Sequence, residues 1–227
     1  MTLVKDFRPS VNGLHFDNHW PPRTPAYVFK VPILGGVPVG DAGGGLCGGM
    51  AFTVADLYIA GLPPPARTDV PAAGTPLFQY IASRLLASFS IPSGVLRYYY
   101  WANTHDHDTR VRSGLARRTI RDQIPRIIAS IDRNQLASLG LVTVRSRNPG
   151  ALGRCHQVLV YGYERAGSWL TFRVYDPNQH DDDTVTISLD TADIGRSMPI
   201  TSTVRCDPIR GFFSVDYRYT DPSAIAG

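Results

Sequence analysis

His156-Gln-Val-Leu-Val-Tyr-Gly-Tyr163 and Trp169-Leu-Thr-Phe-Arg-Val-Tyr175, with Ala166-Gly167 between them, read as two strands joined by a tight turn. The same grammar of period two and β-branched residues runs through Leu141 to Arg145, Thr184 to Leu189, Ser202 to Cys206 and Phe212 to Tyr217. An antiparallel sheet is therefore expected from about residue 140 onward. Upstream of Leu139 the period lengthens. Met50, Ala51, Val54, Leu57 and Tyr58 recur at helical steps and stop at Gly61 and Pro63. Leu77, Ile81 and Leu85 predict a second helix over Thr75 to Ser88, and the stripe Ile120, Ile124, Ile127, Ile128, Ile131 predicts a third near 120 to 137, with Pro125 in its first turn and Asp122 as its cap. Residues 91 to 116 show no decisive period.

Helices first and an antiparallel sheet after them is the α+β pattern. One domain is expected, divided into an N-terminal arm (1–40), a helical part (41–139), an antiparallel β part (140–221) and a short tail (222–227). Residues 1 to 46 are rich in Pro and Gly and read as an extended arm with short strands such as Ala26 to Val31. The 227 residues suffice for a substantial core, and 43% hydrophobic with 19% charged residues excludes disorder as the main state.

The net charge of +4 arises from 23 Lys and Arg against 19 Asp and Glu, but Lys5 and Lys30 are the only lysines and Glu164 the only glutamate. The densest basic run, Arg110 to Arg126, is interrupted by Asp122 and carries no aromatic residue to stack on a base, so nucleic acid is not an expected partner. No apolar stretch is long enough to span a bilayer, and the N-terminus has no apolar signal core. A cytoplasmic chain, or one exported without a classical signal, is expected, with no membrane partner. Three cysteines, Cys47, Cys155 and Cys206, are too few for a disulfide framework.

Chemistry concentrates at three places. Asp41-Ala-Gly-Gly-Gly-Leu-Cys-Gly-Gly-Met50 puts Cys47 where a loop becomes a helix, and a helix N-terminus favours a thiolate. The surrounding glycines would let backbone amides approach a substrate carbonyl. His156, at the head of its strand, is the expected base, and a hairpin turning at Ala166-Gly167 would bring Asp176 close to it. Asn178 is the alternative orienting group, because Asp-Pro-Asn is also ordinary turn chemistry. His105-Asp-His-Asp108 and His180-Asp-Asp-Asp183 look like metal ligands by composition but sit in polar loops, so no metal or other cofactor is expected. Gln157 and Cys155, alternating with His156, are expected to face away from it, Cys155 as a candidate partner for Cys206. Tyr98 to Trp101 are expected in the core or lining a cleft.

Gly45-Leu-Cys-Gly-Gly-Met50, His156 to Tyr163, Tyr175-Asp-Pro-Asn178 and Arg210-Gly-Phe-Phe213, with Phe16-Asp-Asn-His-Trp20, together resemble the papain-like cysteine peptidase superfamily, and more closely an uncharacterised group of bacterial papain-like proteins. The resemblance implies a papain-like two-lobed fold, with the cysteine on a helical lobe and the histidine on an antiparallel β lobe. It also implies a thiol hydrolase that cleaves peptide or isopeptide bonds of a protein or peptide substrate through a thioester acyl-enzyme. Cys47, His156 and Asp176 would be the triad. The chain departs from the better-known peptidases in having Asp41 where they carry an oxyanion-hole Gln, and in placing His156 only 109 residues (156 − 47) after Cys47. The Cys47 backbone amide and Asn18, or His19, from the arm are the remaining candidates for the oxyanion hole. The same triad could serve a deamidase, transglutaminase or acyltransferase, and a papain-like shape could persist in a non-catalytic binding module.

Overall fold

The computed structural model describes all residues except 23, 25–28, 32–34, 38–41, 90–92, 193, 197 and 227. Its organising layer is a seven-stranded, wholly antiparallel sheet. The path runs β8 (Ile200–Ser202), β7 (Thr186–Asp190), β6 (Trp169–Tyr175), β5 (His156–Ala166), β4 (Ala137–Val142) and β9 (Gly211–Ser214). The seventh strand, β1 (Thr2–Leu3), comes from the N-terminal arm and pairs with Gly162 and Tyr163 of β5, beyond the stretch that β4 covers. A register shift between Val160 and Gly162 accommodates this change of neighbour. The hairpin β5–β6 turns at Gly167, whose φ of 62° suits glycine. A small ribbon of β2 (Phe29–Val31) and β3 (Gly35–Val37) stands apart; of the expected strand Ala26 to Val31, residues 26–28 lie outside the described residues.

Six α-helices accompany the sheet among the described residues: α1 (Pro9–Asn12), α2 (Cys47–Ala60), α3 (Pro76–Phe89), α4 (Ser93–Ala102), α5 (Leu115–Arg117) and α6 (Ile124–Asp132). α2 ends at Gly61, left-handed at φ 65°, whose N–H returns to the carbonyls of Leu57 and Tyr58. Every residue of α2 from Gly48 to Leu57 is buried, so this helix has no solvent face along most of its length. It lies between α3 and the sheet, and the main apolar cluster runs without interruption from the arm (Phe7, Leu14, Phe16, Trp20) through α2 and α3 to β4–β7. A second cluster joins Phe52, Tyr98, Trp101, Val142 and Phe213. None of the described helices is long and apolar enough to cross a membrane.

The β-strand regions of the sequence are where the period-two pattern put them, with shifts of a few residues: β4 starts at Ala137 and ends at Val142, rather than covering Leu141 to Arg145. Three helical features differ from expectation. α4 falls in the stretch that showed no decisive period. The third helix stops at Asp132 rather than 137, because the chain is needed for β4. Asp122 is exposed and does not cap it: a π-helical turn (Arg118–Gln123) leads straight into α6, with Gln123 at the cap position. Pro125 has no N–H to give to the preceding turn, and a widened i→i+5 turn accommodates that loss.

Candidate functional site: a cysteine, a histidine and a carboxylate

The first turn of α2 and the first residue of β5 meet at Cys47 and His156. The intrahelical ladder opens with Met50 N–H to the Leu46 carbonyl at 2.9 Å, so the amides of Cys47, Gly48 and Gly49 have no acceptor within the helix. Leu46, the cap residue, gives no side-chain cap either. The loop before Cys47 is held by Asn18 of the arm, whose Oδ1 accepts the Leu46 N–H at 2.6 Å. That bond fixes the orientation of the Asn18 amide. Its Nδ2 donates to Asn178 Oδ1 at 3.0 Å, and Asn178 Nδ2 in turn donates to the Arg205 carbonyl at 2.8 Å. Gly45 is left-handed at φ 91°, and a Cβ there would fall 2.6 Å from Asn18 Nδ2. Here glycine is required by both backbone and space.

The glycines after the cysteine serve a different purpose from the expected one. A Cβ on Gly48 would collide with Ser88 Oγ and Gln157 Oε1, and one on Gly49 with the Ile81 carbonyl. They permit α2 to approach α3 and β5 closely; they are packing glycines.

His156 is 4% exposed and Asp176 is 0% exposed. The ring Nε2 lies 2.7 Å from Asp176 Oδ1, which leaves Nδ1 for the thiol. β6 delivers the carboxylate: Tyr175 stands opposite Leu159, so the residue after it returns beside the head of β5. Asp176 accepts three more hydrogen bonds, from Asn178 N (2.9 Å), Gln179 Nε2 (3.0 Å) and Arg205 N (2.8 Å). Burial works against its charge, yet the bond and charge of His156 and the two backbone amides hold its carboxyl below the usual range. Burial alone would likewise lower the His156 pKa. The negative charge of Cys47 and hydrogen bonds with Asp176 and Cys47 more than reverse this, and raise the imidazole to about 10. Asp176 thus holds the ring and favours its charged form.

The structure therefore brings Cys47, His156 and Asp176 together. Asn178 does not hydrogen-bond the ring: its side chain is bonded to Asn18 and to the Arg205 carbonyl. Asp41 lies outside the described residues. Asn18 stands beside the cysteine loop, and among the described residues its Nδ2 makes one hydrogen bond, to Asn178.

Cys155 and Cys206 are both free thiols, so the Cys155–Cys206 bridge considered from sequence is absent. Burial pushes the Cys155 thiol up, despite hydrogen bonds from the Thr143 and Val144 backbone, and burial beside Asp176 pushes Cys206 up to about 12. Gln157 packs on Gly48 with both of its amide atoms buried and unpaired. The polar loops are spent on ion pairs. Asp106 holds Arg210, Asp108 holds Arg117, His180 pairs with Asp17 and His15 with Asp181. Among the described residues no three His, Cys, Asp or Glu side chains converge as metal ligands would. Gln179 and Arg205, which complete the carboxylate's hydrogen bonds, were not singled out from sequence. Gln179 is three residues from Asp176 but its role has no motif, and Arg205 arrives from a distant loop.

Fold and site together define a class: an α+β protein in which a cysteine at a helix start faces a buried His–Asp pair on an antiparallel sheet. None of the family models, curated proteins or solved structures compared with the chain matches it.

Proposed function

We propose that the protein is a papain-like thiol hydrolase acting on peptide or isopeptide bonds, with Cys47 as nucleophile, His156 as acid–base and Asp176 as the residue that orients the ring. The single observation that carries this reading is the His156 Nε2–Asp176 Oδ1 contact of 2.7 Å in a buried site, with Cys47 coupled to the same ring. A histidine held by a carboxylate and turned toward a cysteine is the arrangement that activates a thiol nucleophile.

The chemistry follows from the placement. The Cys47 sulfur attacks the carbonyl carbon, and the carbon–oxygen π electrons move onto oxygen. The Cys47 backbone N–H, unpaired in its helix, and the second Nδ2 hydrogen of Asn18 are the donors for that oxyanion. The imidazolium gives its Nδ1 proton to the leaving amine, the carbon–nitrogen bond breaks, and a thioester remains. Neutral His156 then takes a proton from water, whose oxygen attacks the thioester, and Cys47 leaves as thiolate. Asp176 keeps its charge throughout and holds the ring from the Nε2 side.

Digestion of a diverse peptide library, read by mass spectrometry, tests this. The wild-type chain is expected to generate new termini and Cys47→Ala none. Cleavage that persists in Cys47→Ala, or none by either protein, contradicts the proposal.

A further inference from the structure

The end of α4 and the segment that leaves β4 enclose a concavity of about 280 Å³ lined by Asn103, His105, Arg145, Ser146 and Arg147. Its walls are fastened together. Asn103 Nδ2 donates to the Ser146 carbonyl at 3.0 Å, and the Tyr99 hydroxyl donates to the Arg147 carbonyl at 3.2 Å. Arg145 is aimed by His105, with guanidinium nitrogen and imidazole Nδ1 3.0 Å apart. A guanidinium can only donate, so Nδ1 is the acceptor in this contact. The imidazole therefore orients Arg145 without neutralising it.

The nearby acids are already engaged. Asp106 is held by Arg210 at 2.6 and 2.9 Å, and Asp108 by Arg117 and the Gly114 N–H. Arg210 also donates to the carbonyls of Ala102 and Thr104, which quenches the negative end of α4. Among the described residues no carboxylate forms an ion pair with Arg145 or Arg147. Arg145 and Arg147 thus line a concavity that has no carboxylate among its described lining residues.

We propose that this pocket binds one anionic group, a carboxylate or a phosphate, gripped by Arg145 and Arg147. Its position gives the group an owner. Leu141 stands opposite His156 in the sheet, and Arg145 is four residues further along, no more than about 14 Å of chain. Resting on the thiol-hydrolase reading, the anion is an acidic group on the substrate, a few residues from the bond that Cys47 attacks.

The binding step is tested without catalysis. The full chain, labelled with 15N, is titrated at constant ionic strength with glutarate in one arm and inorganic phosphate in the other. Saturable shifts are expected at 103, 105 and 145–147 for at least one of them, with an affinity on the order of 1 mM. The preferred arm tells carboxylate from phosphate. The Arg145→Gln/Arg147→Gln double variant should bind at least about tenfold more weakly. Arg133→Gln, an exposed cation just beyond α6, and Cys47→Ala should both bind as wild type. Absence of saturable shifts at these residues, an unchanged affinity in the double variant, or an equal loss in Arg133→Gln overturns the proposal. Because Cys47→Ala retains the site, failure of the hydrolase reading leaves this result interpretable on its own.

Discussion

At the scale of single residues, the most informative group is Asp176. Its charge helps to raise the His156 pKa, while its Oδ1 holds the ring in place. Asp176→Asn keeps an acceptor but removes the charge, so the His156 ring, followed by NMR, should lose its proton at a lower pH than the wild-type value of about 10. An unchanged midpoint would mean that Cys47 alone sets the shift. Gly48→Ala tests the packing role of the glycines. A methyl group there meets Ser88 and Gln157 in a fully buried seam, and a loss of about 1–3 kcal/mol in urea unfolding is expected. A neutral Gly48→Ala would mean that α2 has room the structure does not show. The pairing of His156 with Asp176 was legible because a hairpin with a marked turn brings the two together locally. What stayed open was Asn178 as the alternative, since its side chain is taken up by Asn18 and Arg205, residues 160 and 27 positions away from it.

Among the elements, α2 shows why pattern alone under-reads a buried helix. Its stripe Met50, Val54, Leu57 was enough to place it, but periodicity does not announce that Thr53 and Asp56 are buried as well. Asp56 survives there because Arg84 of α3 lies 2.6 Å away and the Tyr80 and Tyr217 hydroxyls and the Thr220 N–H also donate to it. This network ties the C-terminal segment across α2 and α3. Asp56→Ala leaves the Arg84 charge buried and unpaired, and should cost about 3–5 kcal/mol by denaturant unfolding. Asp207→Ala breaks the exposed pair with Arg154 and should cost less than about 1 kcal/mol. Equal losses would show that the buried network contributes no more than a surface pair. α4 was missed for a related reason. Its consecutive aromatics Tyr98, Tyr99, Tyr100 and Trp101 mask the period, although Tyr98 and Trp101 alone turn inward onto Phe213.

For the whole molecule, the site's charges set the pH range in which the fold is most stable. Asp176 and Asp17 have folded pKa values below the ordinary 3.8, so their contribution is present above that pH and is lost as the pH falls through the lowered values. His156 has a folded value raised from 6.5 to about 10, so its contribution is complete below 6.5 and disappears as the pH rises through about 10. Thermal unfolding across the pH range should give a melting temperature that falls on both sides, and Asp176→Ala should flatten both limbs. A melting temperature that climbs toward pH 10 would contradict this assignment of charge. The α+β order of elements was legible along the whole chain, because helical and strand periods occupy separate halves. The way the arm adds β1 to the sheet at Gly162 and Tyr163 and braces the cysteine loop through Asn18 was not, since no local pattern encodes contacts between the arm and segments so far along the chain.

The central claim is that Cys47 is set apart from the other two thiols by His156. Timed alkylation with iodoacetamide at pH 6, with each site quantified by mass spectrometry, tests it directly. Burial raises the pKa of both Cys155 and Cys206, so both should react slowly. Cys47 should label at least about tenfold faster than either and lose that advantage in His156→Ala. Labelling of Cys47 no faster than Cys155 and Cys206, or at the same rate in His156→Ala, would contradict the account.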